Sequence, residues 1–242
     1  MELAAWKDEL ETGVSGPPKT QAEAAYRRLR RDIRAGLLEP RRWLRLTELR
    51  KAYGFGWSPL REALFLLTAE NLVVAEGQRG FRVAPISEAD FVDALTLRNK
   101  LEDAALEASI ELGDDAWEAA IVAALHRIRK LPPHWETMDT LASEEQQRRH
   151  HIFHASLLAA CPSQWTLRFW DQLQQQIERY QRIVLRRVAP PAAAVEGIQH
   201  AHELIAEAVL ARRFTQAVEA LRAHNDWSNA LIREALRRAP IG

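Results

Sequence analysis

Cysteine and long apolar runs are almost missing from this sequence, and each shortage excludes a class of protein. Cys161 is the only cysteine among the 242 residues, so no disulfide can form within the chain and a reducing compartment is expected. No run approaches the ~18 apolar residues that a membrane-spanning helix needs, and no export leader is recognisable. The sequence therefore predicts a cytoplasmic protein that has no membrane partner.

The net charge is also zero, but the charges are unevenly distributed along the chain. Residues 21–85 hold 13 Arg and Lys against 7 Asp and Glu, which gives +6, whereas residues 86–242 hold 18 against 22, which gives −4. A cationic segment can neutralise DNA phosphates and release their counterions. Residues 21–85 are therefore candidates for DNA binding, and the alternative is a solvated basic helix face.

A helix-turn-helix pattern lies within the basic segment. Residues 47–52 form a short amphipathic stretch, and Gly54 and Gly56 then interrupt the helical spacing. Ser58 is a suitable N-cap for a second helix, with Pro59 at its first position, where no N–H is needed. Apolar residues then recur at helical spacing, which predicts that one face of this second helix is buried.

Two short strands are predicted after this helix, at residues 72–75 and 81–84, around a turn at 77–80. Asn71 can end the helix in a left-handed conformation. Upstream, a capping box that starts at Thr20 predicts a further helix. Helix, turn, helix and hairpin is the order of a winged helix-turn-helix, in which the second helix of the motif enters the major groove of DNA.

The rest of the chain is helical by its pattern and contains no strand pattern. Helices are predicted at about residues 88–112, 114–130, 137–160, 163–188, 192–211 and 214–238. Six such helices form an antiparallel bundle, so the fold class is mainly α with one small hairpin. The predicted organisation is a flexible arm at 1–19, a winged helix-turn-helix at 20–86 and a helical domain at 87–242. Core or interface positions are expected for Trp117, Trp135, Trp165, Trp170 and Trp227.

Four of the eight histidines are spaced as metal ligands in a helical bundle. His150 and His154 are four residues apart, so both project from one face of a helix. His202 and His224 lie on two other predicted helices, and such a set can converge around a divalent metal. The alternative is a polar lining that binds no metal. Surface or loop positions are expected for His126, His134, His151 and His200.

The N-terminal motifs resemble the DNA-binding domain of the GntR family of bacterial transcription regulators. The motifs are Y-R-R-L-R-R-D-I-R-A-G-L-L-E-P at 26–40, S-P-L-R-E-A-L-F-L-L at 58–67, N-L-V at 71–73 and Q-R-G-F-R-V at 78–83. The DNA contacts implied by this resemblance come from Thr47, Trp57, Ser58, Arg61, Arg79 and Gly80. Relatives usually carry Arg in the place of Trp57, and Trp cannot form the bidentate pair with guanine that Arg forms.

Residues 88–236 resemble the FCD effector-binding domain, which is found in the FadR branch of that family. F-V-D-A-L-T-L-R-N-K-L-E at 91–102 resembles its first helix, and the histidines follow its metal motif in order. In that family an Asp and three His bind a divalent metal. The resemblance places His154, His202 and His224 in the His positions, and His150 stands where the family has the Asp.

This replacement changes the expected metal site. With one Asp ligand a divalent ion keeps a net charge of +1, whereas with four neutral imidazoles it keeps +2. An all-nitrogen ligand set also favours Zn²⁺, Ni²⁺ or Cu²⁺ over Mg²⁺ or Mn²⁺, and Zn²⁺ or Ni²⁺ is the expected cofactor. The alternative is that His150 does not bind the metal, and that three histidines share the ion with water or an effector.

Arg98 has two possible environments. By spacing alone it is a solvated residue or the partner of Glu102 at i+4. The resemblance implies instead that Arg98 faces a cavity and binds the carboxylate of a small organic acid. Together with the metal motif, this implies an effector-binding function for the helical domain.

The complete prediction is a ligand-responsive bacterial transcription regulator, a repressor, that binds a pseudo-palindromic operator as a homodimer. Two other functions compete with it. The first is a metal-dependent hydrolase, but no acid lies beside the histidine cluster, because residues 143, 146 and 147 are Ser, Gln and Gln. The second is a DNA-binding protein whose metal is purely structural.

Overall fold

A computed structural model describes residues 16–130, 140–187 and 192–238 of the protein. The elements are α1 (Gln21–Arg34), α2 (Leu46–Tyr53), α3 (Trp57–Ala69), β1 (Val73–Ala75), β2 (Phe81–Val83), α4 (Glu88–Leu112), α5 (Asp115–Arg129), α6 (Thr140–Leu157), α7 (Gln164–Leu185), α8 (Ala192–Leu210) and α9 (Phe214–Arg238). A 3₁₀ turn at Gly77–Arg79 joins β1 to β2. The fold is mainly helical with one small hairpin, as the sequence predicts. Most of the predicted arm at 1–19, and also His134, Trp135 and the side chain of Trp227, lie outside the described part.

The described residues divide into two compact units. The head unit comprises residues 16–94, 175–187 and 232–238, and the bundle unit comprises residues 95–130, 140–174 and 192–231. Helices α4, α7 and α9 therefore contribute residues to both units. Each unit has its own apolar core.

The core of the head unit lies beneath three helices and the hairpin, and α3 packs against α1, α2 and β1. Thr20 Oγ1 accepts the N–H of Glu23 at 3.1 Å, which caps α1 as the capping box predicts. Gly54 ends α2 at a φ of +77°, a conformation that glycine adopts without steric strain. The fully buried side chains of this core include Leu29, Ile33, Leu60, Leu64 and Leu67.

The hairpin pairs β1 with β2 in antiparallel register. Val73 lies opposite Val83, and Ala75 lies opposite Phe81. Asn71 precedes β1 with a φ of +57°, so the left-handed residue that the sequence predicts after the second helix is confirmed. The order of helix, turn, helix and hairpin confirms the predicted winged helix-turn-helix.

The predicted N-cap at Ser58 is wrong. Helix α3 begins at Trp57, and its N-cap is Gly56, which has a φ of −71° and a ψ of 170°. Ser58 lies inside the first turn, where its hydroxyl donates to Glu62 Oε1 at 3.0 Å. Pro59 is therefore the third helical residue rather than the first. A proline is tolerated there because the first N–H groups of a helix have no partner within it.

The bundle unit combines α5, α6 and α8 with parts of α4, α7 and α9, and α5 packs against α6 and α8. Asp114 caps α5 by accepting the N–H of Trp117 at 2.8 Å. Trp117 and Trp170 are buried as expected, whereas Trp165 is 67% exposed, which excludes it from the core. Over the described ranges, no helix has both the length and the apolar composition needed to cross a membrane.

Candidate functional site

Four histidines meet in the bundle unit. His150 and His154 lie on α6, His202 lies on α8, and His224 lies on α9. The two residues on α6 share a face because they are four positions apart. One ring nitrogen from each of the four residues lies within 4.8 Å of the other three. The structure therefore brings together all four histidines that the sequence identifies as candidate metal ligands.

Two of the distances between the ring nitrogens match those expected for ligands of one tetrahedral metal ion. His150 Nε2 lies 3.2 Å from His154 Nε2 and 3.3 Å from His224 Nε2. Zinc–nitrogen bonds of about 2.0–2.1 Å at tetrahedral angles place neighbouring nitrogens about 3.3 Å apart. The two distances therefore agree with ligands that share one ion, and they are also the distances of hydrogen-bonded imidazoles. Because both distances involve His150, they favour a ligand set that includes it.

Burial favours the neutral form of three of these imidazoles. His154, His202 and His224 are buried, whereas His150 is partly exposed. Burial, followed by the nearby charge of His150, lowers the pKa of His154 and the pKa of His202 far below the usual histidine value. The same two causes lower the pKa of His224 to about 3. A neutral imidazole keeps the lone pair that binds a metal.

Several of these nitrogens lack a hydrogen-bond partner. Both ring nitrogens of His202 and the Nδ1 atom of His224 are buried without a hydrogen bond within the described ranges. Each nitrogen of a neutral imidazole carries either one proton or one lone pair, so it makes one good hydrogen bond. His150 Nε2 has two such neighbours, His154 Nε2 and His224 Nε2, and cannot form a good hydrogen bond to both. An unpaired buried polar group costs about 1–3 kcal/mol. A bound cation removes part of this cost, so the residues present fit a divalent metal.

We predict that the metal-free protein loses stability as the pH falls below about 6.5. Three buried histidines have lowered pKa values in the folded state, so the unfolded chain binds more protons below the usual histidine pKa. Stability is therefore present above this pH and is lost below it. With about 1.4 kcal/mol per histidine and pH unit, the free energy of unfolding should fall by about 4 kcal/mol between pH 7 and pH 5.5.

Urea unfolding in the presence of EDTA at several pH values measures this loss. His126 and His200 are exposed, so replacing either of them by Gln should leave the pH dependence unchanged. A free energy of unfolding that stays constant from pH 7 to pH 5.5 would contradict the prediction. Excess Zn²⁺ should move the loss to lower pH, because protons and metal compete for the same lone pairs.

Arg98 is buried beside the histidines and paired with Glu102. The exposed fraction of Arg98 is 3% and that of Glu102 is 2%. Nη1 of Arg98 donates to both carboxylate oxygens of Glu102, at 2.8 Å each. The charge of Arg98 contributes to the lowered pKa of His154 and of His224, after burial and the neighbouring histidines. These distances agree with the Arg98–Glu102 pair that the i+4 spacing predicts. The burial of Arg98 excludes the solvated position.

Glu102 is the centre of a larger group of charges, called the Glu102 cluster, which contains Arg98, Glu102, Asp103, Trp170 and Arg222. Nη1 of Arg222 donates to Glu102 Oε2 at 2.8 Å, and Trp170 Nε1 donates to Oε1 at 3.3 Å. Arg222 also pairs with Asp103. The Glu102 carboxylate thus accepts hydrogen bonds from side chains on three helices, α4, α7 and α9. Sequence analysis missed Trp170 and Arg222, because residues 68 and 120 positions from Glu102 give no spacing signal.

One histidine that was expected at the surface is buried, so that expectation is wrong. His151 is 9% exposed, and its Nε2 lies 2.8 Å from Asp171 Oδ1. His151 is not one of the four converging histidines, but its side of α6 meets α7 rather than solvent. A helix inside a bundle can be covered on more than one side, which the sequence pattern of α6 alone does not show. His126 and His200 are exposed as expected.

The side chains expected to contact DNA belong to the head unit. Five of the positions are exposed, and the sixth, Gly80, is partly exposed. Thr47 lies on α2, and three of the positions lie in the first two turns of α3. Arg79 and Gly80 lie at the hairpin turn. In chain order they are Thr47, Trp57, Ser58, Arg61, Arg79 and Gly80. All six are therefore accessible to a partner in the single chain.

Two family models match the chain in the same order as these sites. The model described as bacterial regulatory proteins, gntR family, matches residues 21–83, which contain the helix-turn-helix and the hairpin. The FCD domain model matches residues 93–226, which contain the histidines and the Glu102 cluster. The protein belongs to the GntR family of bacterial transcription regulators, in the branch that carries an FCD domain.

Individual relatives agree with this assignment. The chain is 35% identical over 213 residues to the HTH-type transcriptional repressor GlaR of Escherichia coli strain K12, across 87% of this chain and 95% of that protein. It is 34% identical over 212 residues to the uncharacterized HTH-type transcriptional regulator BphR of Paraburkholderia xenovorans strain LB400, across 88% and 85%. The fold is also that of E. coli McbR/YncC, with a TM-score of 0.69 and 18% identity over 89% of this chain and 98% of that one.

Proposed function

We propose that the protein is a ligand-responsive repressor that binds a pseudo-palindromic operator as a homodimer in the cytoplasm. The observation that carries the proposal is the convergence of four imidazoles beside Arg98 in the bundle unit of a transcription regulator. A two-fold dimer presents two copies of α3 to two half-sites, so the symmetry of the operator mirrors that of the protein. The 35% identity to GlaR, which is named as a repressor, supports repression rather than activation.

In this proposal residues 20–86 bind DNA, residues 87–242 bind the effector and form the dimer, and residues 1–19 are a flexible arm. Helix α3 enters the major groove, and the hairpin touches the adjacent groove or backbone. The excess of basic residues in the DNA-binding segment supports this placement. The contacts are made by Thr47, Trp57, Ser58, Arg61, Arg79 and Gly80.

The proposed cofactor is Zn²⁺ or Ni²⁺, held by His150, His154, His202 and His224. Four neutral nitrogens favour these ions over Mg²⁺ and Mn²⁺, and the nitrogen spacings of 3.2 and 3.3 Å support one shared ion. When bound, the ion supplies a Lewis-acidic centre that attracts an anion. Because no carboxylate is among the ligands, both positive charges of the ion remain uncompensated.

A small organic acid is the proposed effector. Nε of Arg98 is buried without a hydrogen-bond partner within the described part of the chain. Its N–H is therefore available to donate a hydrogen bond to an effector. A carboxylate can accept from Arg98 in competition with Glu102. Since the acid binds one arrangement of the dimer better than the other, it shifts the population between them and lowers the affinity for the operator.

Among the described residues, the group that could hold a metal contains four histidines and no carboxylate, so it offers the hydrolase hypothesis no acidic general base. Metal-assisted hydrolysis needs a group that takes a proton from water. The residues at 143, 146 and 147 on α6 are Ser, Gln and Gln. The carboxylate of Glu102 already accepts from Arg98 and Arg222. We therefore propose that the protein is not an enzyme and that its metal serves effector binding.

Binding of the full-length protein to its operator is expected to fall steeply with salt. A regulator that neutralises about 6–10 phosphates loses about 10³- to 10⁵-fold in affinity between 50 and 200 mM salt. Fluorescence anisotropy with an operator obtained by in vitro selection measures this slope. Arg61→Ala and Arg79→Ala should each make the slope shallower by about one unit per lost phosphate contact. Binding that is independent of salt would contradict a DNA-binding function.

The effector is tested on the same complex. A panel of mono-, di- and tricarboxylic acids is added to the metal-loaded protein, with operator release and thermal stability as readouts. One class of acid should release the operator and stabilise the protein. If no acid affects either readout while the metal stays bound, the metal is purely structural. Turnover of ester or amide substrates would instead favour the hydrolase.

A further inference from the structure

Trp57 forms an exposed apolar surface at the start of α3. It is the first helical residue, and 46% of its surface is exposed. The guanidinium of Arg50, on α2, lies over the indole ring, 5.3 Å from the ring centroid. Arg50 itself is exposed. The stacked pair therefore fixes the indole on one side and leaves nearly half of the side chain open to a partner.

The chemistry of the indole limits what it can recognise in DNA. Its ring carries one N–H donor and no acceptor, and the rest of its surface is apolar. In the major groove, each base presents a distinct pattern of donors and acceptors, and only thymine adds an apolar group, its C5 methyl. Guanine offers two acceptors, which the two parallel donors of a guanidinium satisfy together and the single N–H of an indole does not. A tryptophan at this position therefore matches thymine and mismatches guanine.

We infer that Trp57 is a specificity-determining residue that contacts the C5 methyl of one thymine in each operator half-site. The inference rests on the proposed function, in which α3 lies in the major groove. Arg50 acts as a positioning residue, because its stacked guanidinium holds the indole and places a cation next to it for the phosphate backbone. Arg61, exposed one turn further along α3, supplies the polar or charged contact beside the methyl contact.

The test uses the full-length protein and an operator obtained by in vitro selection. Each thymine of the operator is replaced in turn by deoxyuridine, which removes one methyl and changes no hydrogen-bonding group. At one thymine per half-site the affinity of the wild-type protein should fall by about fourfold, the value of one buried methyl, and by about fifteenfold when both half-sites are replaced. Fluorescence anisotropy at fixed salt measures both losses.

Variants of the protein complete a double-mutant cycle. Trp57→Ala should bind the thymine operator more weakly and should show no further loss with deoxyuridine, whereas Trp57→Phe should keep part of the methyl dependence. Trp43→Ala is the matched control, because Trp43 is a second exposed tryptophan of the head unit, 39% exposed and outside the helix-turn-helix. This control should retain the full methyl dependence. Far-UV circular dichroism verifies that each variant is folded.

Two outcomes overturn the inference and leave the proposed function intact. The first is salt-dependent operator binding in which no deoxyuridine position matters to the wild-type protein. The second is a deoxyuridine loss that persists unchanged in Trp57→Ala, since the methyl is then read by another residue. Failure to select any DNA sequence that binds in a salt-dependent manner is different, because it contradicts the proposed function itself.

Discussion

Replacing His202 with alanine is expected to weaken Zn²⁺ binding by more than about 100-fold. His202 is 1% exposed, and it provides the contribution of α8 to the histidine cluster. Structural zinc sites with four ligands have binding free energies of roughly 10–16 kcal/mol, so one ligand accounts for about 3 kcal/mol. Competition with a chromophoric chelator measures the affinity directly, and elemental analysis after purification without chelator gives the metal content.

A thermal readout gives the same comparison independently. Zn²⁺ at about 1,000 times its dissociation constant stabilises the wild-type protein by about 4 kcal/mol, and a 100-fold weaker site loses about 2.7 kcal/mol of this. His200→Ala is the matched control, since His200 is two residues away on α8 and exposed. Equal zinc-induced shifts of the melting temperature in His202→Ala and His200→Ala would show that the cluster is a polar lining and not a metal site.

Replacing Glu102 with glutamine is expected to destabilise the protein by about 3–5 kcal/mol, the usual effect of removing one partner of a buried ion pair. Glu102 is 2% exposed and accepts from Arg98, Arg222 and Trp170. A neutral amide leaves the buried charge of Arg98 without compensation. At about 2–4 °C per kcal/mol for a chain of this size, the melting temperature should fall by about 6–20 °C.

The control for this variant lies next to it in the chain. Asp103 also pairs with Arg222, but 41% of its side chain is exposed. Exposed ion pairs contribute about 0–1 kcal/mol, so Asp103→Asn should change the melting temperature by only a few degrees. Calorimetry of both variants in the metal-free state separates this effect from metal binding. A similar, small change in both variants would mean that Glu102 does not hold the cluster together.

Local sequence patterns were sufficient for the order and type of the described helices and strands, though not for every boundary. The predicted helices at 88–112 and 214–238 agree with Glu88–Leu112 and Phe214–Arg238. Helical spacing, capping residues and glycine or proline breaks all act over a few neighbouring residues, so they are visible in the sequence. The shared face of His150 and His154 was predictable for the same reason, since it follows from their four-residue spacing alone.

Local competition accounts for the error at Ser58. Both Gly56 and Ser58 can cap a helix, and the intrinsic N-cap preference, which is higher for Ser, led to the wrong prediction. In the folded chain Gly56 takes the extended conformation of an N-cap. The hydroxyl of Ser58 is then engaged by Glu62 at 3.0 Å. Boundaries of this kind shift by a few residues because several neighbouring residues satisfy the same requirement.

The sequence by itself determined the order and type of the described elements, the excess of basic residues at 21–85 and the four candidate ligands. Only the tertiary structure decided which distant groups meet. His150 and His224 are 74 residues apart, and Glu102 and Arg222 are 120 residues apart. The contact between His151 and Asp171 likewise joins two different helices, so it too was decided by the tertiary structure. Such contacts depend on how helices pack around a common core, and no repeating pattern within one helix encodes the identity of its neighbour.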